Sequence, residues 1–298
     1  MKAVRLQSFG DVDQFRLEEA PDPVAGPGEV LIRVAVSALN PVDLYVRQGM
    51  VGKMELPAIL GIDGAGTVEA VGPGVAGFAP GDRVIVHAPL KGHGTHAELV
   101  VAPVAGLAKL ADGVTFEAGA TLPLPGLTGR QLVDGLGGVK AGDRVLVSGA
   151  LGAVGRVAVQ YLKELGARPV AGVRGERLDE GKTLAGDAVD IDQAPSSPSF
   201  EYAISAAGPV AGNVIRHVRD GGTMSSAVQV PDGANEGERI KIVRIFAHDD
   251  AAILQQVADA AGRGNLTIPV AQTFPLEQLG DAHTALAVGA RGRILLRH

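Results

Sequence analysis

The residues of this chain best arranged to do chemistry lie in VLVSGALGAVGRVAVQYL, from Val145 to Leu162. A short apolar run, Val145 to Ser148, leads through Gly149 into Ala150, Gly152 and Gly155, spaced as G-x-G-x-x-G with alanine in the first position. Apolar residues then recur at Val154, Val157, Ala158, Tyr161, Leu162 and Leu165, the one-sided spacing of a helix. Gly166 falls where a left-handed helix stop is expected, and Pro169 to Val173 resumes as an apolar strand. The pattern predicts strand, glycine turn, helix and strand. In such a unit glycines let the backbone approach a pyrophosphate, and the helix N-terminus offers free N–H groups and a partial positive charge. The competing reading is a glycine-rich packing turn in a nucleotide-free α/β fold. An Asp or Glu at the end of the second strand would accept bonds from the adenosine ribose hydroxyls; here the chain reads Val173-Arg174-Gly175-Glu176-Arg177. Arg174 and Arg177 suit the 2′-phosphate of NADP, and Glu176 keeps NAD open.

Other chemistries fall away. With no cysteine there is no disulfide, iron–sulfur cluster, thiolate nucleophile or cysteine-ligated zinc. The seven histidines show no ligand spacing, and His87, His93 and His96 read as strand and loop residues. Ser148 precedes Gly149, but Leu146 occupies the first glycine position of a G-x-S-x-G elbow, which disfavours a serine hydrolase. A net charge of -6, with seven Phe, three Tyr and no Trp, argues against nucleic acid as a partner. Neither a secretory leader at Met1 to Leu6 nor an 18-residue apolar run is visible, so a cytoplasmic protein that does not span a membrane is expected.

The elements that must position these residues fall into two kinds. A length of 298 residues suits about two domains. The first hundred residues carry short strands between Gly and Pro turns, such as Val30 to Val36, Gly66 to Val71 and Arg83 to His87, the rhythm of a β-barrel or sandwich. Beyond residue 115 strands and helices alternate: Tyr202 to Ser205, a helix near Val210 to Val218, then Thr223 to Val230 and Lys241 to Phe246. That alternation implies a parallel sheet with helices on both faces. Gly175 to Ser199 is polar and is expected to hold a short helix and a surface loop, and Phe274 to Leu296 returns to helix then strand.

SALNPVDLYVRQG (Ser37 to Gly49), LPAILGIDGAGTVEAVG (Leu56 to Gly72), GATLPLPGLTG (Gly119 to Gly129), the glycine turn and FPLEQLGDAHTALAVGARGRILL (Phe274 to Leu296) occur in an order that resembles the zinc-free quinone oxidoreductases of the medium-chain dehydrogenase/reductase superfamily. The resemblance covers nearly the whole chain. It implies an α/β plus β fold: a GroES-like β-barrel catalytic domain (1–118 and 267–298) and a Rossmann doubly wound parallel-sheet domain (119–266), with a cleft between them. It implies NADPH as hydride donor and a quinone or α,β-unsaturated carbonyl as acceptor. A dedicated enone or 2-alkenal reductase and a non-catalytic NADPH-binding structural or sensory protein are the alternatives. Zinc-dependent relatives carry Cys where Asn40 stands and His-Glu where Ile62-Asp63 stands, so no zinc is expected.

Carried over residue by residue, the resemblance makes Asn40 and Tyr45 the pair facing the substrate carbonyl, with a packed aromatic as the alternative for Tyr45. Asp63 becomes a turn or ribose-contacting residue. Thr128, Gly149, Gly152, Ala153, Val154, Gly155, Arg174, Arg177, Ala206, Ala207, Phe246 and Arg291, together with Asn40, complete the cofactor set. Departures stand at Thr95-His96, where relatives usually have an aromatic, and between Arg177 and Asp190, where their helix is longer. A homodimer is expected, with strands near Thr223 to Val230 as candidates for pairing across a two-fold axis.

Overall fold

The chain enters its first antiparallel pair at once, with β1 (Lys2–Leu6) against β2 (Phe15–Glu19) and Val4 opposite Leu17. In β3 (Glu29–Ala38) alternate residues Val30, Ile32, Val34 and Val36 are buried while Arg33 faces water, the period of a sheet with one dry face. Asn40 and Pro41 then start helix α1 (Pro41–Arg47): proline has the right fixed φ for the first helical position, and the Asp43 carboxylate accepts the Asn40 N–H at 2.7 Å. Next come β4 (Ala58–Ile59), β5 (Asp63–Val71), β6 (Arg83–His87), β7 (Leu99–Pro103), β8 (Leu107–Lys109) and α2 (Phe116–Ala120). This computed structural model describes residues 1–52, 54–90 and 93–298.

Helix α3 (Pro123–Asp134) precedes the alternating segment: β9 (Arg144–Ser148), α4 (Ala153–Glu164), β10 (Arg168–Val173), α5 (Leu178–Ala185), β11 (Ala188–Asp190), β12 (Phe200–Ser205), α6 (Ala211–His217), β13 (Val218–Ser226) and β14 (Lys241–Arg244). Its six strands run in the order β11-β10-β9-β12-β13-β14, every neighbouring pair parallel. Val145, Leu146 and Val147 are all fully buried because both faces of the sheet are covered. On α4 the expected apolar face is borne out at Val157, Ala158 and Leu162, whereas Leu165 caps the helix and is partly exposed. Gly166 stops the helix at φ +74°, with the Ala167 N–H bonded back to Leu162 O. The polar stretch after Gly175 contains, besides its helix, the short strand β11. β13 ends at Ser226, short of the expected Val230, and lies between β12 and β14. Both its edges are filled, so the strand expected to pair with a second subunit is an inner one.

The tail adds α7 (Ala251–Gly262), β15 (Val270–Pro275), α8 (Leu279–Ala287) and β16 (Arg293–Arg297). β16 pairs with β3, completing the order β15-β16-β3-β5-β6-β8 with β7 also on β3. By its contacts the chain divides into residues 1–124 with 249–298, a β-rich unit, and residues 125–248, an α/β unit. Sequence reading sets these divisions at 118/119 and 266/267; the larger difference is α7. Its Gln255 brackets Lys109 of β8, accepting from its N–H at 2.9 Å and donating to its carbonyl at 3.2 Å, and Asp249 just before it bonds to His87. Helical periodicity alone gives no sign of which sheet a helix packs on. Among the described residues no helix is long and apolar enough to cross a membrane.

The β-rich unit buries His96 and His283 fully and His298 in part. His96 and His283 are fully buried with neither ring nitrogen partnered, their rings edge to face at 6.4 Å, and His283 also meets the Phe15 ring at 4.8 Å. His298 bonds through Nε2 to the Ser37 hydroxyl at 2.9 Å. Burial pulls His96 well below the usual histidine range, with His283 and His298 adding to the shift. Burial, then the Arg47 charge, brings His283 down to about 3, and burial brings His298 down to about 4. All three fold as neutral rings, while the unfolded chain takes up their protons near the ordinary value. Their contribution to stability is therefore present above about pH 6.5 and is lost as pH falls toward 4 and 3. Urea denaturation between pH 7 and 4.5 should show stability falling with acid by up to about 1.4 kcal/mol per pH unit for each histidine. The variant His283→Leu should flatten that slope by one proton; an unchanged slope contradicts the assignment.

Candidate functional site

Two clusters emerge, one in each unit. In the α/β unit Gly149 follows the last residue of β9 with φ +76°, a conformation that only glycine adopts without strain. The Gly152 N–H bonds to Gly149 O, and Arg156 N–H makes the first bond of α4, to Gly152 O. Ala153, Val154 and Gly155 therefore carry the N–H groups a helix leaves without an intrahelical partner. A Cβ on Gly155 would lie 2.2 Å from Gly149 O and 2.6 Å from Ala150 Cα, so only glycine lets the helix start this close to the turn. Ala206 and Ala207, after β12, close the other side: Ala206 N–H bonds to Ser148 O, and Ala207 packs on Gly149. This crevice at the carboxyl ends of β9 and β12, where the strand order reverses, fits the pyrophosphate of a dinucleotide.

The remaining α/β residues arrange around it. Arg174 directly follows β10, with its side chain 62% exposed and Asp192 3.9 Å away. Arg177 is committed to Glu180 through two bonds of 3.0 and 2.7 Å. Thr128 is nearly buried on α3, whose next residue, Gly129, packs on Val154 and Val157 of α4. Phe246, just after β14, is 78% exposed, with the Arg244 guanidinium 5.5 Å from its ring. The Ser148 and Ser205 hydroxyls, side by side at the ends of β9 and β12, are buried without a partner. Sequence reading weighs Ser148 only as a hydrolase nucleophile and passes over Ser205, although a serine closing each of the runs VLVS and YAIS is the visible signal.

In the β-rich unit the sequence brings Asn40 and Asp63 together and leaves out their third member, Arg293. Asp63 Oδ2 accepts from Arg293 Nη2 at 2.6 Å and from Asn40 Nδ2 at 2.9 Å, and Oδ1 accepts from the Leu124 N–H at 2.8 Å. Asn40 Oδ1 accepts from Arg293 Nη1 at 2.7 Å. Asp63, expected to serve a turn or a ribose, instead begins β5 fully buried, with both oxygens taken. That expectation is corrected: a carboxylate so enclosed must be paired with a cation, and the cation is Arg293. Asn40 is buried too and keeps one amide hydrogen beyond these bonds. Asp43 beside it is pushed up to about 7, by burial first and then by Asp63, against the Asn40 N–H and Arg293. Burial pulls Arg293 down, against both carboxylates. Tyr45 stands half exposed on α1, and Arg291 is exposed two residues before Arg293. Arg293 had its own signal, a charge opening the apolar strand RILL. Among the described residues no three His, Cys, Asp or Glu side chains gather as a metal site.

Residues 26–112 match the alcohol dehydrogenase GroES-like domain family, and residues 180–296 match the zinc-binding dehydrogenase family. A solved NAD-dependent alcohol dehydrogenase superposes with a TM-score of 0.89 at 30% identity, covering 100% of both chains. The quinone oxidoreductase of Lama guanicoe is 29% identical over 99% of this chain and 97% of its own. That of Pseudomonas aeruginosa is 35% identical over 58% of this chain and 52% of its own, and the chain likewise spans about half or less of several other curated relatives. The chain belongs to the medium-chain dehydrogenase/reductase superfamily, with a GroES-like β-domain and a Rossmann-like parallel sheet.

Replacing Gly155 with alanine forces α4 off the turn by backbone collision. The variant should lose about 1–3 kcal/mol of stability and bind either nicotinamide dinucleotide at least tenfold more weakly. Urea denaturation and fluorescence titration check this, and wild-type values in both contradict the role given to the close approach.

Proposed function

We propose that this chain is an NADPH-dependent reductase of quinones or related α,β-unsaturated carbonyls that works without a catalytic metal. The observation that carries the reading is the β9–turn–α4 geometry with Arg174, not an acidic residue, directly after the adjoining β10. The N–H groups of Ala153, Val154 and Gly155 would hold the pyrophosphate. Arg174 and Arg177 would meet the 2′-phosphate, and Thr128, Ala206, Ala207 and Phe246 would flank the rest of the dinucleotide. NADPH, when bound, supplies the hydride from its nicotinamide ring.

The chain's own part is to orient the acceptor and to oppose the negative charge that builds on its carbonyl oxygen. Asn40 has one amide hydrogen left for that oxygen, and its plane is fixed by Asp63 and Arg293, so it pays no reorganisation cost when the charge develops. The half-exposed Tyr45 hydroxyl is the second donor. The metal-free element rests on these residues: Asn40 stands where zinc-dependent relatives have cysteine, and the guanidinium of Arg293 already supplies the cation beside Asp63. Quinones and enones suit modest donors of this kind because the anion formed is delocalised. The names of the relatives, quinone oxidoreductases among them, support the same acceptor class.

Steady-state oxidation of NADPH and of NADH, each with a 1,4-quinone and a linear 2-alkenal, tests the proposal. Turnover with NADPH ahead of NADH is expected. NADPH that binds but is oxidised with neither acceptor overturns the acceptor class, and faster turnover with NADH overturns the choice of dinucleotide.

A further inference from the structure

Two carboxylates and a single guanidinium are buried together at the head of α1: Asp43, Asp63 and Arg293. The Arg293 fork is divided, Nη1 donating to Asn40 Oδ1 at 2.7 Å and Nη2 to Asp63 Oδ2 at 2.6 Å, while its Nε has no partner. None of these bonds goes to Asp43. Among the described residues its carboxylate accepts only a backbone donor, the Asn40 N–H, at 2.7 Å through Oδ2. Asp63 and Arg293 together are neutral, so an ionised Asp43 is one buried negative charge in excess.

A buried carboxyl without a cation of its own keeps its proton further up the pH scale than an exposed one. Asp43 is accordingly pushed up to about 7, by burial first, with the Asn40 N–H opposing, Asp63 adding and Arg293 opposing. Asp63 of β5 and Arg293 of β16 are the charged groups that act on it. Helix α8, packed on α1, brings His283, which burial keeps neutral, and the exposed Asp281; Arg47 of α1 acts on His283. Asp43 thus changes charge near neutral pH while bonded to the residue whose amide hydrogen is proposed to meet the acceptor oxygen. In the proposed reaction an acceptor carbon gains a hydride, with its two electrons, from NADPH, which leaves as NADP⁺. The negative charge that appears on the acceptor oxygen is then discharged by a solvent proton. An ionised Asp43 opposes that charge as it builds, and a protonated one does not.

We propose that Asp43 is a positioning residue that sets the charge of the acceptor site around Asn40: reduction runs on the form in which Asp43 carries a proton, and loss of that proton slows it. This role rests on the reading of the chain as a reductase of quinones or related α,β-unsaturated carbonyls. It gives Asp43 a part distinct from that of Asp63. Asp63 stays ionised and holds the Asn40 amide still, whereas Asp43 decides whether the surroundings of that amide are neutral or negative.

The test is kcat for NADPH oxidation by a 1,4-quinone and by a linear 2-alkenal, followed from about pH 6 to 8.5. In the wild type kcat should fall by about tenfold across that range. In Asp43→Asn, whose side-chain oxygen can still accept the Asn40 N–H but whose charge is fixed, the fall should shrink to within about twofold. A fall of the same size in both proteins overturns the role of Asp43, and so does a wild-type kcat that does not fall. Carbon-13 NMR of the wild-type aspartate carboxyls supplies a readout that needs neither turnover nor a variant. One carboxyl should titrate near neutral pH, apart from the exposed aspartates, and its signal should be missing from Asp43→Asn; a wild type with no such carboxyl overturns the role as well. A carboxyl that titrates as expected, in a protein that oxidises NADPH with neither acceptor at any pH, overturns the reductase reading instead, and with it any part for Asp43 in that reaction.

Discussion

The β-rich unit is organised around one buried ion pair. Asp63 and Arg293 lie 230 positions apart in sequence, yet their charged groups meet at 2.6 Å, the carboxylate side fully buried and the guanidinium nearly so. Neither charge is tolerable there alone, since taking an ion out of water costs several kcal/mol that only a close, hydrogen-bonded partner offsets. The pair therefore constrains several elements at once. It fixes β16 relative to β5, holds Asn40 at the head of α1 and receives the N–H of Leu124 at the start of α3. The chain's last strand is built into the sheet of β3 and β5, with Leu295 opposite Ala38.

The α/β unit depends on a different constraint, the close approach of backbone to backbone. Gly155 brings the start of α4 within van der Waals distance of Gly149 O, and Ala207 closes on Gly149 from β12. Each contact removes a side chain so that N–H groups and strand ends converge on one crevice. One unit spends charge to hold a donor amide still; the other spends glycine to expose donors.

Local patterns were legible and long-range ones were not. The β9–α4–β10 segment could be read because its information is periodic: an apolar run buried on both faces, a glycine turn and a 3.6-residue stripe. The network around Asn40 was half legible. Asn40 and Asp63 stood in recognisable motifs, but their partner lies at the far end of the chain, and attention to the exposed Arg291 missed the buried Arg293 two residues on. Asp63 was misassigned for the same reason, because a carboxylate's role follows from the cation that reaches it. The placement of α7 and the inner position of β13 are facts of packing and strand order, which hydrophobic period does not encode.

The central claim is that Asp63 and Arg293 act as one unit, and a double-mutant cycle with Asp63→Asn and Arg293→Met measures it most directly. Stability by urea denaturation should fall by about 3–5 kcal/mol in either single variant, because each leaves a buried charge or its partner groups uncompensated. The double variant should recover a large part of that loss, giving a coupling of at least about 2 kcal/mol. Losses that simply add, or singles that unfold no more easily than wild type, would contradict the account.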